Sequence, residues 1–239
     1  MQNEFQSIKK LGYVKSTFNG SGSAGLNFEY LLGKKPDILS KPDYYGIELK
    51  TKIDNTNSRI HLFSLAPKGL TNYDIERIWK KYGYPGVKNK KVKMLNVNVK
   101  CNNFCNVGLK YFFSLKIDFI NKKVNLLVYN KLKMLIDNIS YWDFDDLKTA
   151  LYKKLSYLAI INCKKKSVGS INYYYYYKLR IYKIKSFNAF LNLLNNTEVI
   201  VKFGVSETNN KQLFKDRGTS FDIYEKDISK LFYKIKSTL

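Results

Sequence analysis

Acidic residues are scarce in this chain. Its 239 residues hold 19 Asp and Glu against 42 Lys and Arg, a formal net charge of +23. That balance argues against cationic partners and points to a polyanion. Arginine is scarce too, confined to Arg59, Arg77, Arg180 and Arg217. The excess is therefore lysine, in a chain also rich in Asn, Tyr, Ile and Phe, as an A+T-rich genome produces without selection for DNA binding. The charge supports nucleic-acid binding and does not establish it. Cysteine is rare and odd in number, three in all, which argues against a disulfide framework and for a reducing, cytoplasmic location. Cys101 and Cys105 stand four apart, but zinc needs two more ligands. The single histidine, His61, is distant and Cys163 is the remaining thiol, so no zinc site is expected. No apolar run approaches the roughly 18–20 residues of a membrane helix. The opening MQNEFQSIKK lacks the apolar stretch of a signal peptide, and no long basic amphipathic helix or lipidation motif suggests a membrane surface.

What is present reads as mixed α and β. Residues 3–12 have helical spacing. FNGSGSAGLNFEYLLG (18–33) gives a Gly/Ser loop, a helix starting at Ser23 and a stop at Gly33, with Leu26, Tyr30 and Leu31 as its apolar face and Glu29 beside it. The lone GSG loop is read as a helix N-terminal turn rather than a phosphate cradle. IELKTK alternates as a strand, with Ile47 and Leu49 on one face and Glu48, Lys50 and Lys52 on the other. SRIHLFSLAP (58–67) reads as the next strand and NYDIERIWKKYG (72–83) as a helix. Three strands follow between about 92 and 130, with a hairpin turn at INKK; Asp118 is the sole acid between Arg77 and Ile136, so this sheet is basic. WDFDDLKTALYKKL (142–155) reads as a helix with acids first and lysines last, as the macrodipole favours. YLAIINCKKK and INYYYYYKLRIYKI read as strands, the tyrosine run 173–177 as strand rather than a base-stacking platform. SFNAFLNLL is a helix, EVIVKFGV (198–205) a strand, RGTSFDI (217–223) extended, and EKDISKLFYKI (225–235) a final helix.

The chemistry concentrates in KPDYYGIELKTK (41–52). Cutting a phosphodiester needs a hard cation on the phosphate, carboxylates to hold that cation, and a cationic side chain to steady the attacking water or the developing charge. Glu48 and Lys50, two apart on a strand, can point at one spot, and Leu49 can bury its side chain while offering its carbonyl. Asp43 precedes Glu48 by an odd number of residues, so Tyr44-Tyr45-Gly46 must bend for the two acids to converge. Taken alone, the E-x-K triplet reads more plainly as a solvated Glu–Lys pair on a strand.

The pattern P-D, a short gap, then G-I-E-L-K resembles the PD-(D/E)xK nucleases. GSAGLNFEYLLG, PDYYGIELKTK, LFSLAP and DRGTSFDI together resemble the MvaI/BcnI type II restriction endonucleases, relatives of the mismatch-repair nickase MutH. The resemblance is strong over 20–67, recurs in 198–235 and is thin between 80 and 195. It implies a restriction-endonuclease-like α/β (mixed α+β) core, a mixed sheet flanked by helices, in two lobes around a DNA cleft. Residues 1–90 with part of the C-terminal region would form the catalytic lobe and about 91–239 the recognition lobe. It implies a monomer that needs Mg²⁺, with Mn²⁺ as a substitute, and cuts double-stranded DNA at a short site, one strand at a time. A separate methyltransferase would complete the system. Carried over, Asp43, Glu48 and the Leu49 carbonyl would hold the metal, Lys50 would orient water, and Glu29 would complete the acidic cluster. Lys52 would meet a phosphate, and Arg59, His61 and Arg217 would approach the bases. Where relatives often read D-H-G-T-G-F, arginine stands in place of the histidine and Ser220 in place of the second glycine, which puts the central base pair in doubt. A partner-dependent MutH-like nickase and a non-catalytic DNA-binding module are the alternatives.

Overall fold

The computed structural model describes residues 1–34, 42–54, 59–86, 89–207 and 214–238. Lys41 of the quoted motif and Ser58 of the expected second strand lie outside them. The chain runs α1 (Gln2–Lys10), β1 (Val14–Lys15), α2 (Ser23–Leu31), β2 (Ile47–Ile53), β3 (Arg59–Ser64), α3 (Ile75–Tyr82), β4 (Tyr84–Pro85), β5 (Lys93–Val99), β6 (Cys105–Val107), β7 (Tyr111–Asp118), β8 (Lys123–Asn130), β9 (Leu135–Asp137) and β10 (Tyr141–Asp143). It continues through α4 (Phe144–Leu155), β11 (Tyr157–Val168), β12 (Ile171–Ile184), α5 (Phe187–Asn195), β13 (Val199–Glu207), β14 (Phe214–Asp216), β15 (Ser220–Tyr224), α6 (Ile228–Leu231) and β16 (Phe232–Thr238).

Two compact units emerge, each drawn from separated stretches of the chain. Unit 1 is Met1–Ser58, Tyr152–Lys185 and Ile228–Leu239; unit 2 is Arg59–Leu151 and Ser186–Asp227. Sequence patterning registers elements and not which of them share a core, so a unit built from three separated segments was not visible in it.

Unit 1 holds a mixed sheet of order β1-β12-β11-β2, with β16 also on β12. β2 pairs parallel to β11, Glu48 opposite Leu158 and Lys52 opposite Asn162, while β11 and β12 form a long antiparallel hairpin. One face of this sheet meets α1 and α2. Leu49, Ala159, Ile161, Cys163, Tyr174 and Tyr176 pack there on Phe5, Ile8, Ala24 and Phe28. The inward tyrosines keep their hydroxyls paired, as burial requires: Tyr174 with Ser23 Oγ at 2.7 Å, and Tyr176 donating to the Ala24 carbonyl at 2.8 Å. Two of the five tyrosines in the run 173–177 are thus core. The buried face of α2 is Ser23, Ala24, Asn27 and Phe28 rather than the expected Leu26, Tyr30 and Leu31. Tyr30 is exposed, because close approach of the helix to the sheet favours small residues and one ring.

Unit 2 contains two antiparallel sheets, β10-β8-β7-β6 with β9 on β8, and β3-β15-β13-β5-β4 with β14 on β13. Aromatic rings fill it: Phe63 stacks on Phe221 at 4.7 Å, and Phe190 of α5 and Trp142 pack around them. Ser186 caps α5, its hydroxyl accepting from the Ala189 N–H at 3.1 Å. The expected final helix over 225–235 is a correction. A 3₁₀ turn and the single turn of α6 give way at Phe232 to β16, which pairs along Leu179–Ile184 of β12. Phe232 is buried and Tyr233, Lys234 and Ile235 are exposed, and the ladder offered by β12 outweighs the helical preference of so short a segment. The 142–155 helix begins at Phe144, since Tyr141–Asp143 is drawn into β10 against β8.

Candidate active site

Gly46 has φ 81° and Tyr45 φ 46°, and Tyr44 and Ile47 exchange backbone hydrogen bonds at 3.0 and 2.9 Å. This two-residue hairpin turn, with positive φ at both central positions, supplies the bend the motif demanded. It returns Asp43 alongside β2, where the Leu49 N–H donates to Asp43 Oδ2 at 2.9 Å. β2 ends the sheet among the described residues. A residue's N–H and C=O leave a strand on the same side, so the Leu49 carbonyl shares that free edge with Asp43 while its side chain sits in the core.

On the opposite face Glu48 is buried, with 1% of its surface exposed. Its Oε1 accepts from Lys50 Nζ at 2.6 Å and lies 3.7 Å from Lys154 Nζ. Its Oε2 is buried with no hydrogen-bond partner. Glu29, in the last turn of α2, is linked to Asp43 through a residue the sequence reading missed. Lys34 Nζ donates to Glu29 Oε2 at 3.1 Å and to Asp43 Oδ1 at 3.0 Å. Burial works against the Lys34 ammonium, yet its hydrogen bonds to Asp43 and Glu29 outweigh it and hold the pKa above the usual lysine value. The acids are thus matched with lysines, Glu29 and Asp43 by Lys34, Glu48 by Lys50 and Lys154. Among the described residues no three carboxylate, His or Cys groups gather as a metal cluster. Lys34 follows a helix stop and Lys154 sits in a run assigned to the macrodipole; neither carries a sequence signal for this place.

The expected base-reading residues lie in unit 2. His61 Nδ1 is 3.3 Å from Asp222 Oδ1 and its Nε2 is 3.4 Å from Ser64 Oγ. His61 and Arg217 line one cavity of about 430 Å³ together with Asn96, Lys202, Ser206 and Asp222. Arg217 is held by its backbone N–H on the Gly204 carbonyl at 3.0 Å, and its exposed guanidinium forms no ion pair with a described residue. Gly218 beside it has φ 88°, a conformation that favours glycine. Arg59 is engaged elsewhere, on Asn98 Oδ1 at 2.8 Å and near Asp222. The three cysteines are free; burial pushes the Cys101 thiol up to about 12, which leaves it inert.

Unit 1 thus carries Glu48-Leu49-Lys50 on an edge strand, with Asp43 folded back beside it and Glu29 of the preceding helix tied to Asp43 through Lys34. The profile of the MvaI/BcnI restriction endonuclease family matches residues 2–232, and the chain belongs to that family. It is a type II restriction endonuclease, a site-specific deoxyribonuclease. Among solved structures it is similar to one titled restriction endonuclease MvaI–cognate DNA substrate complex, at 26% identity over 99% of this chain and 95% of that one, with a TM-score of 0.87. It is also similar to restriction endonuclease MvaI in the absence of DNA, at 26% identity over 100% and 96%, with a TM-score of 0.63. No curated protein matches it. Enzymes of this family are generally metal-dependent. No helix among the described residues is long and apolar enough to cross a membrane.

Proposed function

We propose that unit 1 carries the hydrolytic site and that Mg²⁺ is its cofactor, with Mn²⁺ able to replace it. The observation that carries this reading is Glu48, a carboxylate almost wholly buried with one oxygen unpartnered. An unpaired buried carboxylate oxygen is costly, and a hard divalent cation that takes oxygen ligands would satisfy it. Asp43 Oδ1, Glu48 and the Leu49 carbonyl form an all-oxygen donor set, which suits Mg²⁺ and not zinc. When bound, the cation supplies Lewis-acid polarisation of the phosphate and lowers the pKa of a water. Lys50 then releases Glu48 and holds its ammonium toward the reacting phosphate, orienting the water and offsetting charge. Glu29 holds Lys34 and so keeps Asp43 oriented. Lys52, on the same face as Lys50, meets a neighbouring phosphate.

In unit 2 the cavity shared by His61 and Arg217 is the base-reading site, with Arg59 at its margin. The enzyme acts on double-stranded DNA as a monomer, one strand at a time, in the cytoplasm, with a separate methyltransferase protecting the host sites. Supercoiled plasmid and long linear DNA, incubated with Mg²⁺ or EDTA, test the reading beside Lys50→Ala. Discrete fragments that require both Mg²⁺ and Lys50 are expected, and their ends give the site. Nicked circles alone would favour a MutH-like nickase, and retardation of duplex without cleavage would reduce the protein to a binding module.

A further inference from the structure

The face of the unit 1 sheet that carries Glu48 and Lys50 does not end at the carboxylates. Parallel register with β2 puts Leu158, Ile160 and Asn162 of β11 on that same face, and strand alternation continues it through Lys164 and Lys166. Leu158 and Ile160 are buried, whereas Lys164 and Lys166 are exposed. Lys15 of β1 joins the row, since it pairs with Tyr173, the partner of Lys166. Asn162 is fixed on this face by Arg180, which donates to its Oδ1 at 2.6 Å. Lys164 Nζ rests 5.7 Å from the centre of the Tyr177 ring. No Asp or Glu occurs between Asp146 and Glu198, so neither arm of this hairpin neutralises the lysines. Lys166 stands eight residues beyond Leu158, the partner of Glu48. At a strand rise of about 3.3 Å that is roughly 26 Å, comparable to about eight base pairs of duplex at 3.4 Å each.

We propose that the outer face of the β11–β12 hairpin is a phosphate-backbone track, in which Lys52, Lys164, Lys166 and Lys15 hold duplex DNA flanking the cut site without reading its sequence. The proposal rests on the reading that the Glu48–Lys50 face is the one that meets DNA. Phosphate contacts of this kind position a duplex and carry no base information. They register in the salt dependence of binding, where each lost contact flattens the slope of log K against log salt by about 0.9.

Lys165 supplies the internal control. It is exposed at the same tip but points to the other face, with Cys163 and Tyr174. The experiment measures binding of the whole protein, in EDTA to prevent cutting, to a labelled duplex of arbitrary sequence about 30 base pairs long. The Lys164→Gln/Lys166→Gln protein is expected to show a slope lower by about two and, at 0.1 M salt, an affinity lower on the order of tenfold or more. Lys165→Gln is expected to change the slope by much less than Lys164→Gln alone. Thermal melting of each variant confirms folding. Equal losses from Lys164→Gln and Lys165→Gln would show diffuse attraction and overturn the track, as would an unchanged slope in the double variant. Failure of the unsubstituted protein to bind duplex would overturn both the track and the reading beneath it, and it is visible before any variant is made.

Discussion

Asp74 and Asp137 in unit 2, like Glu48 in unit 1, are buried carboxylates beside cations, yet their surroundings differ oxygen by oxygen. Asp74 Oδ1 and Oδ2 accept from Arg77 Nε and Nη2 at 2.9 and 2.7 Å, and Ser140 adds a bond at 2.5 Å. Asp137 Oδ2 takes Arg77 Nη1 at 2.8 Å, Lys81 at 3.2 Å and the Tyr82 hydroxyl, and its Oδ1 takes the Ile139 N–H at 3.0 Å. Nothing there is left to bind. Glu48 instead shares one oxygen between two flexible lysines and leaves the other bare. A planar arginine fork locks geometry, whereas lysine stems can withdraw when a competing cation arrives. A closed network of this kind holds a fold in register; an open one keeps a valence for a ligand.

Substituting one member of each network tests the contrast, and the largest effect is expected in unit 1. Glu48→Gln should slow plasmid cleavage by about 10³-fold or more while leaving the melting temperature unchanged or higher, because it removes a buried charge that is only half satisfied. Equal loss of folding and cleavage in that variant would break the comparison. Arg77→Met should do the reverse. It strands two buried carboxylates, and denaturant titration should show a loss of about 3–5 kcal/mol. Protein that remains folded should still require divalent metal for cleavage.

The smallest effect concerns acid. Burial pushes the Asp137 pKa up, but Tyr82, the Ile139 N–H, Arg77 and Lys81 together hold it well below the ordinary carboxylate range. A group depressed in the folded state contributes stability above its unfolded value, about 3.9 for Asp, and loses it as pH falls through the depressed folded value. The melting temperature should therefore drop on acidification below about pH 5. In Asp137→Asn that limb should be flatter, from a lower starting point at neutral pH.

The sequence made the local chemistry of unit 1 legible and its supporting cast invisible. Pro42-Asp43, Gly46 and Glu48-Leu49-Lys50 required a bend and a strand, and both are there. The β-branched and tyrosine-rich runs read as the strands β11 and β12, and the acid-to-lysine gradient announced α4. Lys34 meets Glu29 across the turn that ends α2, but Lys154 reaches Glu48 only through tertiary packing, and no spacing rule encodes that. The stretch Leu231-Phe232 satisfies helix and strand patterns equally over so few residues, and β12 decides between them by offering a ladder. In the same way His61 and Arg217 came forward as separate residues; their common cavity depends on β3 and β15 pairing across more than 150 intervening residues.

The parallel pairing of β2 with β11 also sets the order in which the molecule can become active. Glu48 lies opposite Leu158, so the strand that supports the motif is made more than a hundred residues after the motif itself. A growing chain carries Asp43, Glu48 and Lys50 long before it has a sheet to align them, and contacts so distant in sequence form slowly. A polypeptide interrupted before β11 would hold every residue of the motif and still lack the strand that aligns them, so assembly of the proposed cutting site waits upon most of the chain.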